Sequence, residues 1–117
     1  MDEKTLRALT DGWPGVSAEV KWENDLIFMV GGKMFCGLAV SGPQRGKFAF
    51  KVDEHRFLEL TDRPGIVPAP YMARAHWISL DDPAVLPRAE RDALLRRAWE
   101  LVAAKLTRKA RRELGIE

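Results

Sequence analysis

The chain has 117 residues, 46% of them hydrophobic and 31% charged, with a formal net charge of +2. This mixture belongs to ordinary globular proteins, neither disordered nor membrane-spanning. The longest apolar runs, LIFMV and MFCGLAV, fall well short of the roughly 18 residues a bilayer crossing needs, and the start MDEKTLRALT has no secretory pattern, so the expectation is one cytoplasmic domain spanning residues 1–117.

In chain order, Asp2 is placed to cap a short helix in which Leu6 and Leu9 share a face, and GWPG (Gly12 to Gly15) ends it. From Val20 the pattern changes to β-rich runs: VKW, LIFMV after Asn24-Asp25, and KMFCGLAV after Gly31-Gly32. A Gly-Gly pair between such runs suits a two-residue hairpin, whose central residues both need positive φ. SGPQRG (Ser41 to Gly46) makes a longer turn. KFAFKV then alternates Phe48 and Phe50 on one face with Lys47, Ala49 and Lys51 on the other, the mark of a half-buried antiparallel strand.

Asp53 occupies an N-cap position, and Phe57, Leu58 and Leu60 give a second short helix an apolar face through about Asp62. RPGIVPAPYMARAHWISL follows, with Pro64, Pro68 and Pro70 within seven residues. Each proline fixes φ near −65°, so a long crossing segment holds one shape without regular hydrogen bonding. Tyr71 and Trp77 are expected to anchor this loop while Arg74 stays exposed, and HWISL reads as one more strand. Asp81-Asp82 before Pro83 read as turn and cap residues. Pro87 suits the first position of a long final helix in which Leu95, Trp99, Val102 and Leu106 recur at helical spacing until Gly115. The result is an α+β fold: an antiparallel sheet with helices packed on one face.

Few residues point to catalysis. GPQRGKF has three residues between its glycines where a phosphate-binding loop has four, and Phe48 stands where Ser or Thr would meet magnesium. His55 and His76 lack metal-ligand spacing, and Cys36, the single cysteine, reads as a small core hydrophobe. No cofactor, metal or catalytic residue is assigned, and a non-enzymatic protein is expected.

Charge is more informative. Residues 1–86 carry 10 Lys/Arg against 12 Asp/Glu, whereas residues 87–117 carry 9 against 5. Lys105, Arg108, Lys109, Arg111 and Arg112 form an acid-free run, although a helix C-terminus also favours cations for its own sake. Lys33 lies beside the Gly-Gly turn, and Arg45 and Lys47 lie at the SGPQRG turn. Basic hairpin tips suit phosphate contacts, and lysines on strands also discourage edge pairing.

Taken together, PGV near the start, VGGKMF, the F-x-F-K-V-D junction, RPGIVPAPYMARAHWISL and the closing AWELVAAKL resemble the MmcQ/YjbR family, from about Leu6 to Leu114. Trp99 and Thr107 depart from the tyrosine and proline common in relatives. The resemblance implies a CyaY-like or secretion-chaperone-like fold and a double-wing DNA-binding motif. The expected function is weak, largely sequence-independent DNA binding by a monomer through Lys33, Arg45, Lys47, Arg74, Lys105, Arg108, Lys109, Arg111 and Arg112. The competing expectation is a protein-interaction module that docks peptides. A contiguous basic face linking Lys33, Arg45, Lys47 and the final helix would favour the first and an open apolar sheet face or groove the second.

Overall fold

The computed structural model describes residues 1–116. Its elements are α1 (Glu3–Thr10), β1 (Val16–Lys21), β2 (Asp25–Val30), β3 (Lys33–Ala39), β4 (Phe48–Lys51), α2 (Glu54–Thr61), β5 (Ile66–Pro68), β6 (Trp77–Leu80), α3 (Arg88–Ala103) and α4 (Arg108–Glu113), with 3₁₀ turns at Ala73–Ala75 and Pro83–Val85. The six strands form one sheet in the order β1-β2-β3-β4-β6-β5, and every neighbouring pair is antiparallel. The expected α+β architecture is therefore present.

Side-chain alternation decides where the helices land. Leu26, Phe28 and Val30 of β2, Cys36 and Leu38 of β3, Phe48 and Phe50 of β4, and Ile78 and Leu80 of β6 are all buried in one cluster with Leu95, Ala98, Trp99 and Val102 of α3. Helix α3 crosses β3 and β4, while α2 lies against β5 and β6. Cys36 is fully buried, and burial pushes its thiol well above its ordinary pKa, as expected of a core hydrophobe.

Trp99 ties the start of the chain to α3. Its Nε1 donates to the Pro14 carbonyl at 3.2 Å, its ring meets Trp13 edge-on at 6.3 Å, and the Arg96 guanidinium lies over both rings, 4.2 Å from Trp99 and 4.9 Å from Trp13. A cation over an indole face is attracted by the ring quadrupole. Helices α2 and α3 are pinned by Arg63, which donates to both Glu90 oxygens at 2.8 and 3.1 Å and to Glu59 at 2.8 Å.

Four local readings are corrected. First, the chain after Trp99 is not one helix to Gly115: α3 ends at Ala103 and a separate α4 starts at Arg108. Leu106 turns down against the hairpin at Gly31, where a Cβ would come within 2.8 Å of Leu106 Cδ1. Thr107 then caps the new helix, its Oγ1 accepting from Ala110 N at 3.0 Å. Second, the proline segment contributes an edge strand, β5, because only an edge tolerates a residue that cannot donate to the ladder. Third, β1 starts at Val16, and Trp22 belongs to the turn after it, at φ 52°. Fourth, Asp53 occupies the N-cap of α2 without a side-chain cap bond, because its carboxylate accepts from Arg97 at 3.0 Å through both oxygens. Asp2 does cap α1, accepting from Thr5 N at 2.8 Å, and Gly31 and Gly32 take φ of 57° and 80° as the hairpin requires.

Truncating Trp99 to Ala removes a buried indole, and the expected cost is about 3–5 kcal/mol, read as a lower denaturant midpoint. Thr107→Ala, which deletes one cap, should cost about 1 kcal/mol.

Candidate functional site

The helices cover one face of the sheet; the other carries a trough of about 850 Å³. Its floor follows from register. Ile27, Gly37, Ala49, Ser79 and Val67 lie in one row across β2, β3, β4, β6 and β5, and the three central positions have almost no side chain. Met34, Met72 and Trp77 bank one end, and Trp22, Asp25, Gln44 and Lys47 the other. Trp22 is 65% exposed and Tyr71 fully exposed, and Val67 is 44% exposed. Soluble proteins rarely leave a contiguous apolar surface of this kind without use for it.

Trp22 and Tyr71, with φ of 52° and 66°, are both left-handed, a conformation that costs a non-glycine residue roughly 1 kcal/mol or more. This accounts for a fifth correction. Trp77 anchors the proline loop at 5% exposure, but Tyr71 does not, because its backbone turns the ring outward. Ala69 takes the anchoring role: it is buried, and its N–H donates to the Trp77 carbonyl at 2.9 Å. His76 packs edge-on against Phe57 at 5.6 Å, a structural contact.

The nine expected phosphate-contacting residues divide between the two ends of the sheet. The register runs β3 from Lys33 at one end to Ala39 at the other, a length of about 23 Å. Lys33, Arg74 in the β5–β6 connection, and Lys105 with α4 occupy the first end, where Leu106 and Leu114, on either side of α4, meet the Gly31 turn. Arg45 and Lys47, in the β3–β4 connection, occupy the other. They do not join the C-terminal cluster in one basic face.

Lys51, which closes β4 at the first end, is a further cation there that the sequence does not single out. It is 9% exposed, its Nζ donates to the Ala75 carbonyl, and the Lys105 ammonium stands beside it. Burial first, then Lys105, lowers its pKa. The readable signal is its alternation with Phe50, which sets it on the same face as Lys47.

Partnering separates two kinds of base. Arg7, Arg56, Arg63, Arg88, Arg91 and Arg97 all meet carboxylates within 4 Å, and Arg96 lies on tryptophan. Among the described residues, no carboxylate pairs with Lys4, Lys33, Arg45, Lys47, Lys51, Arg74, Lys105, Arg108, Lys109, Arg111 or Arg112, and of these only Lys4, Arg45 and Lys47 stand apart from the end of the sheet that α4 reaches. Helix polarity does not account for Arg108 and Lys109. They open α4, where the dipole disfavours cations, and only Arg111 and Arg112 lie in its last turn.

The YjbR family model matches residues 11–101. The chain belongs to the YjbR family. The Deinococcus radiodurans protein DR2400, a DUF419 domain, is similar to this YjbR chain with a TM-score of 0.87 and 26% identity, over 99% of this chain and 89% of its own. A Pseudomonas syringae protein, PsR293, shares the fold with a TM-score of 0.68 and 21% identity, over 87% of this chain and 99% of its own. No curated protein matches the chain. In this YjbR protein the residues that line the trough all fall inside the matched span, and α4 falls outside it.

The rim and the floor should respond differently to truncation. Tyr71→Gly relieves a left-handed aromatic and is expected to leave the thermal midpoint unchanged or raised, whereas Trp77→Ala should cost about 3–5 kcal/mol. Thermal unfolding of the two variants, followed by circular dichroism, measures both.

Proposed function

We propose that this YjbR protein is a non-enzymatic DNA-binding protein that holds the phosphate backbone at one end of its sheet, weakly and with little regard to sequence. The observation that carries this reading is the convergence of Lys33, Arg74, Lys105, Arg108, Lys109, Arg111 and Arg112 at that end, with no carboxylate partners among the described residues. The local acids Asp53 and Glu100 are engaged by Arg97, leaving Glu54 and Glu113, among the described residues, as the acids of that end outside an ion pair. Phosphate contacts of this kind release condensed counterions and fix position without reading bases.

The same geometry narrows the binding set. Arg45 and Lys47 lie at the far end of the sheet and take no part in this surface. Lys51 supports it electrostatically: its buried ammonium raises the local potential while its donors go to Ala75.

If three to five phosphates are neutralised, log K for duplex DNA should fall against log salt with a slope of about −3 to −4.5. Charge reversal at Arg108, Lys109 and Arg112, all exposed, should abolish binding while circular dichroism shows an intact fold. Charge reversal at Arg45 and Lys47 should leave duplex affinity within about twofold. Absence of retardation for the wild type at low salt, or loss of binding through Arg45 and Lys47 alone, would overturn the assignment.

A further inference from the structure

The trough on the helix-free face is not explained by phosphate binding, and its chemistry limits what it accepts. Strands β2, β3, β4 and β6 are each paired on both sides, so the face presents side chains and offers no free ladder of backbone donors and acceptors. An extended peptide laid across it would bury its own N–H and C=O groups unpaired, at a cost of several kcal/mol by transfer from water. A helix satisfies those groups internally. The floor formed by Gly37, Ala49 and Ser79 spans three neighbouring strands, about 10 Å, which is the diameter of one α-helix with its side chains.

The lining argues against nucleobases as occupants. Asp25, Gln44 and Lys47 gather at one end and the Trp22 and Tyr71 side chains stand at the corners, so Ser79 is the one polar side chain of the Gly37-Ala49-Ser79 floor, and base edges laid on that floor would lose most of their hydrogen bonds to water. Met34 and Met72, flexible and polarisable, suit an apolar surface whose shape they can follow. Charge then sets the flanks. Arg45 and Lys47 stand at one end of the sheet and Lys33, Lys51 and Arg74 at the other, and the one acid of the lining is Asp25.

From these features we infer that the open sheet face docks an amphipathic α-helix of a partner protein, apolar along one side and acidic at both ends. Trp22 and Tyr71, fixed in left-handed backbone at diagonally opposite corners, close over its ends. This inference rests on the face opposite the α2–α3 layer and on none of α4, and it shares only the flanking Lys33, Lys51 and Arg74 with the DNA reading.

The test uses a fluorescein-labelled peptide of about 18 residues, roughly 27 Å of helix, with a Leu/Ala stripe and glutamates at both ends, and a twin with lysines in their place. The glutamate peptide should bind with Kd below about 1 mM, and the lysine twin at least about tenfold more weakly. Ala49→Phe fills the trough from an outward-facing position and should abolish binding, with circular dichroism confirming the fold. Trp22→Ala and Tyr71→Ala, both at exposed sites, should each weaken binding about tenfold. Charge reversal at Arg108, Lys109 and Arg112 should leave it unchanged. Failure of the glutamate peptide to bind, binding insensitive to Ala49→Phe, or displacement of the peptide by oligo(dT) from the variant charge-reversed at Arg108, Lys109 and Arg112 would each overturn the inference. So would self-association of the wild type that Ala49→Phe dissolves, because the occupant would then be a second copy of the chain.

Discussion

The fold depends on one asymmetry: at the middle of the sheet, β3, β4 and β6 carry large buried residues on one face and Gly37, Ala49 and Ser79 on the other. Phe28, Phe48, Phe50, Ile78 and Leu80 give α2 and α3 a surface to cover, and removing that surface from water is the main force holding helices to sheet. Gly37, Ala49 and Ser79, on the alternate positions, give the other face nothing for a helix of the same chain to grip. All four helices therefore stay away from it, and the trough follows from the same alternation that builds the core.

That asymmetry also governs where charge can gather. Because α3 runs over β3 and β4 on the core face, its C-terminus delivers Lys105 and α4 to the end of the sheet where the Gly31-Gly32 hairpin turns. Leu106 and Leu114 meet Gly31, and Leu114 meets Gly15, so apolar contacts, not ionic ones, bring the cations together. Repulsion among them is tolerated because most remain in water, where like charges interact weakly. Lys51 is the exception, and its lowered pKa records the cost of its burial. Below its folded pKa that cost is present in full, and it is relieved as pH rises from there toward the ordinary lysine value.

Much of this is legible in the sequence, for reasons that can be named. Alternation in KFAFKV marks both strand and face, Gly31-Gly32 announces its hairpin through its need for positive φ, and Asp2 announces a cap. The break in the final helix is hidden because Val102 and Leu106 stay four residues apart across it, and a single threonine is a weak stop signal. Edge strand β5 is hidden by its proline, which argues against a strand everywhere except at an edge. Tyr71 reads as an anchor because sequence does not reveal a left-handed backbone at a residue other than glycine. The trough is invisible for a deeper reason: small residues carry no local signal, and only register across three strands gathers them into one floor.

Amide NMR with a short DNA duplex tests the central claim, that phosphate is held at one end of the sheet and not on its open face. Chemical-shift changes are predicted at residues 31–33, 73–75 and 105–112, while Gly37, Ala49 and Ser79 stay in place. Changes centred on Gly37, Ala49 and Ser79, or on Arg45 and Lys47, would contradict it.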